Sequence, residues 1–124
     1  MSARIAVVED NADNRLLVQA ILDGAYDIVE FDSGAAAVAG LEAAAPDVVL
    51  LDISLPGMDG TEVLRWIRSH ERLRDLPVIA LTAHAMAGDR EKYLAAGFND
   101  YVTKPIVDEN VLVAAIRRWL AAGS

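Results

Sequence analysis

Short apolar runs alternate with helix-patterned segments five times along this chain of 124 residues. Alternation of this kind predicts a parallel sheet with right-handed crossovers and helices on both faces. The chain therefore indicates an α/β fold, a doubly wound five-stranded parallel sheet flanked by five helices, within a single domain spanning residues 1–124. The predicted strands are Arg4–Val8, Asp27–Phe31, Val48–Asp52, Val78–Thr82 and Asp100–Thr103.

Capping residues and apolar spacing mark the predicted helices. Asn11 and Ser33 can cap the first two, and Gly24 ends the first. Asp59-Gly60 leads into the third helix, and Asp108 can cap the last because Val107 is a poor cap. The second helix is predicted over 34–45, the fourth over about 86–96 and the last over about 108–121. The apolar face of the first helix is predicted to comprise Leu16, Leu17, Ala20 and Ile21.

The last two helices differ in their predicted apolar faces. The fourth has a thin face in which Tyr93 and Leu94 carry most of the packing, and such thinly anchored helices are those most free to move. The last helix has a longer stripe. Its predicted members are Val111, Leu112, Ala115, Ile116, Trp119 and Leu120.

Composition excludes several classes of function. A net charge of −8 argues against sequence-independent binding to nucleic acid or to an anionic membrane. No cysteine is present, so disulfides and thiol chemistry are excluded. No apolar run approaches the ~20 residues of a membrane span, and the N-terminus lacks the apolar core of a secretion signal. We therefore expect a cytoplasmic protein that is not exported.

Four predicted strands end in, or are followed directly by, a side chain that can take part in a reaction or bind a ligand. Glu9-Asp10 follows the first strand, Asp52 ends the third, Thr82 ends the fourth and Lys104 follows the fifth. Because the carboxyl ends of parallel strands share one edge of the sheet, these groups should converge. Three adjacent carboxylates repel one another unless a cation offsets their charge, and Mg²⁺ prefers such oxygen ligands.

Together these groups form a set suited to phosphoryl transfer. Asp52 supplies a carboxylate nucleophile, Lys104 a compact positive charge that binds phosphate, and Thr82 a hydroxyl donor. Each residue taken alone has a commoner structural interpretation, such as a helix cap, a turn residue, a strand former or a solvated charge. Their coincidence at one sheet edge favours the functional interpretation.

Four segments carry a resemblance that covers essentially the whole chain. They read VVEDN at 7–11, LD at 51–52 followed by LPGMDG at 55–60, ALTA at 80–83 and YVTKP at 101–105. The spacings are 30 residues from Asp52 to Thr82 and 22 from Thr82 to Lys104. In these respects the chain resembles the receiver domains of two-component response regulators, the CheY-like superfamily. The resemblance implies a flavodoxin-like fold with strand order 2-1-3-4-5.

The resemblance also implies a chemical role for the acidic cluster. Asp52 would accept a phosphoryl group from a phosphohistidine on a histidine kinase or a histidine phosphotransfer protein. Asp10, Asp52 and the backbone carbonyl of Ser54 would hold Mg²⁺, with Glu9 acting directly or through water. Lys104 would pair with the phosphoryl group. The protein would then be a phosphoacceptor switch that catalyses its own phosphorylation and dephosphorylation, not a conventional enzyme.

Further roles follow from the same resemblance. Thr82 would move towards the phosphoryl group, and Tyr101 would turn inward into the space that Thr82 leaves. Ser54 and His84 would influence how long the phosphoryl group survives, and the peptide bond between Lys104 and Pro105 is expected to be cis. The surface formed by the fourth helix, fifth strand and last helix would contact a downstream protein.

Several functions remain open at this point. We favour a stand-alone receiver of the DivK type, but a receiver domain taken from a hybrid histidine kinase would look almost the same. A Mg²⁺-dependent aspartyl-phosphate hydrolase usually needs a second acid two residues after the nucleophile, where this chain has Ser54. A degenerate receiver that binds partners without phosphate is the remaining alternative.

Overall fold

Five parallel strands form the centre of the molecule in the order β2-β1-β3-β4-β5, which confirms the expected topology. The computed structural model describes residues 3–55, 57–83, 89–104, 106 and 108–122. All predicted strand bounds are confirmed: β1 is Arg4–Val8, β2 Asp27–Phe31, β3 Val48–Asp52, β4 Val78–Thr82 and β5 Asp100–Thr103. Every residue of β3 and β4 is buried, as expected for apolar strands inside a parallel sheet.

The helices divide the apolar core into two layers, one on each face of the sheet. The second, third and fourth helices cover one face, and the first and last helices cover the other. Among the described helices, none is both long and apolar enough to cross a membrane. The helix bounds are α1 Ala12–Leu22, α2 Gly34–Ala44, α3 Gly60–Ser69, α4 Asp89–Ala96 and α5 Glu109–Ala122.

The predicted capping residues bind the backbone at the helix starts. Asn11 Oδ1 accepts hydrogen bonds from the backbone N–H groups of Asp13 and Asn14 at 2.9 and 3.1 Å. Ser33 Oγ accepts one from Ala36 at 3.0 Å, and Asp108 Oδ1 accepts one from Asn110 at 3.0 Å. These three caps are therefore confirmed.

The predicted apolar face of α1 is wrong except for Ile21, which is partly buried against the core. Leu16 is 64% exposed and Leu17 is 38% exposed, whereas Val18 and Leu22 are buried. The helix is rotated because Asn14 turns its side chain towards Glu9 and donates a hydrogen bond to it. Residues four apart share one face of a helix, so placing Asn14 inward also places Val18 and Leu22 inward.

Two further members of the predicted apolar faces point into solvent. Leu94 is 39% exposed and Val111 is 52% exposed, so both predictions are wrong. In α4, Tyr93 is the one buried residue among the side chains that the structure describes. A single large ring thus anchors this helix, and the neighbouring position Leu94 is left on its outer side. The predicted start at residues 86–88 lies outside the described residues.

Arg68 joins the ends of α3, β4 and α4 at the edge of the sheet opposite to Asp52. Its guanidinium donates to the backbone carbonyls of Gly97, Arg74 and Leu76 at 2.7–3.2 Å and to Asn99 Oδ1 at 2.7 Å. The same Asn99 oxygen accepts from the backbone N–H of Val78 at 2.9 Å. Burial lowers the pKa of Arg68, yet the group remains the shared donor of this network.

Replacing Arg68 by methionine should lower the free energy of unfolding by about 2–3 kcal/mol, because several carbonyls lose their donor together. Urea denaturation monitored by circular dichroism measures the loss. Arg65→Met is the matched control, since Arg65 lies on the same helix with an exposed side chain. Equal stabilities of the two variants would show that the Arg68 network contributes nothing.

Asp59 caps α3 immediately before the helix begins. Its Oδ1 accepts hydrogen bonds from Thr61 Oγ1 at 2.6 Å and from the backbone N–H of Glu62 at 3.0 Å. These two bonds, the one from Thr61 foremost, lower the pKa of the Asp59 carboxyl. The carboxylate form is therefore preferred in the folded protein, and its contribution to stability is lost as the pH falls through the lowered pKa.

Asp59→Ala should lower the free energy of unfolding by about 1 kcal/mol at neutral pH, since the cap is lost. The difference between this variant and the parent protein should shrink as the pH falls below 3.8, the ordinary aspartate value, because protonation weakens the cap in the parent protein. Urea denaturation at several pH values measures both effects. A difference that stays constant with pH would contradict the proposed contribution of the carboxylate.

Candidate functional site

The carboxyl ends of the central strands bring the predicted acidic residues together. β3 lies between β1 and β4, with Leu51 paired to Val8 and Asp52 paired to Leu81. This register places Glu9, the residue after β1, beside Asp52. Both carboxylates are buried, with 1% of each residue exposed. Buried carboxylates require a partner, because desolvation strongly disfavours an isolated charge.

Lys104 is the partner of both buried carboxylates. Its Nζ lies 3.1 Å from Asp52 Oδ2 and 3.3 Å from Glu9 Oε2. Burial alone would lower the pKa of Lys104, but the hydrogen bonds and the negative charges of the two acids outweigh burial and raise it. The ammonium form is thus stabilised at the position where the sequence predicted a positive charge.

The surroundings of Glu9 disfavour its ionised form. Burial is the main reason that its pKa is raised above 4.5, and the neighbouring Asp52 raises it further. The side-chain amide of Asn14 opposes this effect by donating to Glu9 Oε1 at 2.9 Å. Our sequence analysis did not include Asn14 in the site, although its position one turn into the capped helix places it near the end of β1.

The carboxylates of Glu9, Asp10 and Asp52 form a group that fits a divalent cation. Each offers an oxygen, and these oxygens all lie within 4.8 Å of one another. With all groups ionised, the three carboxylates contribute −3 and Lys104 contributes +1, which leaves −2. An oxygen donor set with this excess charge suits Mg²⁺. The expected contribution of the Ser54 carbonyl stays a prediction.

The loop after β3 orients Asp52 through its backbone. The N–H of Ser54 donates to Asp52 Oδ1 at 3.0 Å, so this oxygen and the one facing Lys104 are both fixed. The Ser54 residue itself is exposed. Fixing both oxygens leaves the Asp52 carboxylate with one orientation, as a preorganised site requires.

The hydroxyl of Thr82 lies within hydrogen-bond distance of a group that the sequence analysis had assigned only to packing. Thr82 Oγ1 and the Tyr93 hydroxyl are 2.9 Å apart, and both residues are buried. Tyr101 is half-buried, with its ring centroid 6.0 Å from that of Tyr93. Apolar spacing indicated that Tyr93 faces the core, but it carried no information about the partner of its hydroxyl.

Two other predictions lie outside the described residues. They are the effect of His84 on the phosphoryl group and the cis bond between Lys104 and Pro105. The geometry around Lys104 is nevertheless fixed by its backbone N–H, which donates to the carbonyl of Thr82 at 2.7 Å. This bond links the Lys104 backbone to the strand that carries Thr82.

Gly60 lets α3 begin against the backbone at the end of β3. A Cβ at this position would collide with the carbonyl oxygen of Asp52 and lie 2.7 Å from the Cα of Ile53. The sequence analysis interpreted Asp59-Gly60 only as the turn into a helix. The sequence Asp59-Gly60 does not indicate that the absence of a side chain on Gly60 makes room for the Asp52 backbone.

Gly60→Ala should weaken Mg²⁺ binding by about 10-fold or more, because the added methyl group forces the Asp52 backbone away from its position. Calorimetric titration with Mg²⁺ measures the change. Gly24→Ala is the control. Its φ of +79° makes alanine unfavourable there as well, although a Cβ would meet open space, and Gly24 lies at the end of α1, remote from Asp52. Equal Mg²⁺ affinity in both variants would contradict a role for Gly60 in the site.

The chain is similar in sequence to members of one protein family. The family model described as "response regulator receiver domain" matches residues 5–117. The chain is 38% identical over 107 residues to the polar-differentiation response regulator DivK of Brucella ovis, which covers 86% of this chain and 87% of that protein. It is 42% identical over 120 residues to the sensor protein GacS of Pseudomonas syringae pv. syringae.

Coverage differs greatly between these two relatives. The match to GacS spans 94% of this chain but only 13% of the GacS protein. Among solved structures, the receiver domain of the sensor histidine kinase PA1611 from Pseudomonas aeruginosa PAO1 superposes with a TM-score of 0.87 and 38% identity, over 98% of this chain and 99% of that one. That structure is described with a magnesium ion coordinated in the active site cleft.

Proposed function

The chain belongs to the response regulator receiver domain family, and we propose that Asp52 is its phosphoryl acceptor in a two-component or phosphorelay pathway. Receiver domains of this family are signalling switches rather than classical enzymes. The observation that carries the proposal is the pairing of buried Asp52 with Lys104 at 3.1 Å, inside a carboxylate cluster that fits Mg²⁺. A strand-end aspartate with only a capping role would need neither partner.

The proposed transfer uses a phosphohistidine as donor. A carboxylate oxygen of Asp52 forms a bond to phosphorus while the bond from phosphorus to the imidazole nitrogen breaks, and the electron pair of that bond stays on the nitrogen. The product is an acyl phosphate on Asp52. Lys104, already charged and held beside the acceptor, stabilises the phosphoryl oxygens. Attack of water on phosphorus later releases inorganic phosphate and restores the carboxylate.

Mg²⁺ is the proposed cofactor of this step. Oxygens of Glu9, Asp10 and Asp52, with the carbonyl of Ser54, would hold the ion, which when bound supplies positive charge to the phosphoryl oxygens. Lys104 offsets part of the negative charge of Glu9 and Asp52. The exposed Ser54 is too small to block an approaching water molecule, so we propose that the acyl phosphate is open to hydrolysis.

We propose a histidine kinase or a histidine phosphotransfer protein as the phosphoryl donor. The downstream partner would bind the surface formed by α4, β5 and α5, where Tyr101 is half-buried. The net charge of −8 supports a protein partner over nucleic acid or membrane lipid. These partners belong in the cytoplasm.

Two forms of the proposed switch are supported by different relatives. Similarity to DivK, most of whose length is matched, supports a stand-alone response regulator with residues 1–124 as its receiver domain. Higher identity to GacS supports a receiver from a hybrid histidine kinase. Phosphotransfer profiling against the histidine kinases of the source organism separates them. A stand-alone regulator should accept phosphoryl groups from a separate kinase, whereas a hybrid-kinase receiver should strongly prefer one attached to it.

Incubation with phosphoramidate and Mg²⁺ should add one phosphoryl group to the protein, as measured by intact-protein mass spectrometry. EDTA should prevent the labelling. Asp52→Asn should abolish it, because the neutral amide of asparagine lacks the nucleophilic carboxylate oxygen of aspartate. Asp23→Asn is the matched control, since Asp23 is an exposed aspartate at the end of α1. Labelling that survives Asp52→Asn would disprove the assignment of the acceptor, and turnover of a small phosphoester would favour a hydrolase.

A further inference from the structure

The hydroxyl groups of Thr82 and Tyr93 meet in the interior between β4 and α4. They are 2.9 Å apart, and either one can be the donor. Thr82 is 2% exposed and Tyr93 is 7% exposed, so bulk water does not compete for this contact. A hydrogen bond in such surroundings is stronger than one at the surface and costly to leave unmade.

The Tyr93 ring is held on two sides, which fixes the position of its hydroxyl. Phe98 packs edge-on against it at 6.2 Å with an interplanar angle of 88°, and Tyr101 lies at 6.0 Å on a tilted plane. The ring belongs to the core layer that also contains Val78 and Ala80 of β4. Since side chains alternate along a strand, Thr82 lies on the same face as these two residues.

A threonine hydroxyl has one proton and can direct it to one strong acceptor at a time. We take Thr82, as the resemblance to receiver domains implies, to move towards the phosphoryl group on Asp52 and to donate to one of its oxygens. Because Thr82 Oγ1 lies 2.9 Å from the Tyr93 oxygen, this movement stretches or breaks their contact, whichever hydroxyl is the donor. A cleft of about 270 Å³ has Thr82, Tyr93 and Ser54 among its lining residues.

We propose that Tyr93 is a positioning residue that holds Thr82 towards α4 and so opposes phosphorylation of Asp52. This inference rests on the proposed function and adds to it. The predicted switch pair was Thr82 and Tyr101, but the structure places the Tyr93 ring within hydrogen-bond reach of Thr82 and packs Tyr101 against it. Tyr93 therefore acts on Thr82 directly, and Tyr101 is linked to Thr82 through the Tyr93 ring.

The proposed contact also couples the acceptor site to α4. Among the described side chains of α4, Tyr93 is the one that is buried, so this residue anchors the helix to the sheet. Release of Thr82 by Tyr93 removes a polar anchor of α4 and leaves the apolar packing of the ring. The helix is then held less firmly in the phosphorylated protein than in the unmodified one.

Tyr93→Phe tests the proposal because it removes the hydroxyl and keeps the ring. Loss of the contact should raise the rate of Asp52 labelling by phosphoramidate and Mg²⁺ by about 2- to 10-fold, the range expected for one hydrogen bond. Tyr26→Phe is the matched control and should leave the rate unchanged, since Tyr26 packs in the opposite core layer beside β2. The double variant Thr82→Val with Tyr93→Phe should label at the same rate as Thr82→Val alone.

The possible results separate this inference from the proposed function. If the parent protein is labelled but Tyr93→Phe labels equally or more slowly, Tyr93 has only a packing role. A gain that persists in the Thr82→Val background would show that the effect does not pass through Thr82, which also overturns the inference. Absence of any Asp52-dependent labelling in the parent protein would overturn the proposed function and the inference together.

Discussion

The attraction between Lys104 and two buried carboxylates is the interaction on which the rest of the site depends. Glu9 and Asp52 are almost fully removed from solvent, and burial of two like charges side by side is unfavourable without compensation. Lys104 approaches both at 3.1–3.3 Å and offsets one of the charges. The remaining negative charge at this edge of the sheet can be offset by a divalent cation.

Backbone geometry gives this charged cluster its precision. The register of β3 between β1 and β4 sets the distance between Glu9 and Asp52, and the N–H of Ser54 orients the Asp52 carboxylate. Gly60 allows α3 to start against the carbonyl of Asp52. Backbone groups thus supply much of the positioning, while side chains supply the charge.

The sequence predicted the first and last residues of all five strands. Runs of four or five residues that are rich in apolar side chains and have turn signals at both ends leave little freedom in where a buried strand begins. The sequence also predicted that Glu9, Asp52 and Lys104 meet, because parallel topology brings their strand ends to one edge. The face of α1 was wrong because a polar contact from Asn14 to Glu9, not apolar spacing, sets the rotation of that helix. Tyr93 was recognised as buried, but apolar spacing contains no information about its hydrogen bond to Thr82.

The Arg68 network has a mechanical consequence for α4. Gly97, whose carbonyl accepts two bonds from Arg68, immediately follows the last residue of the helix, so this end is tied to α3 and β4. Tyr93 lies one turn earlier and binds the helix to Thr82. A helix that is fixed at its C-terminal end and loses a contact near its middle would pivot about the fixed end, so its N-terminal end would travel furthest. Small rotations of one threonine side chain can in this way become larger displacements at the molecular surface.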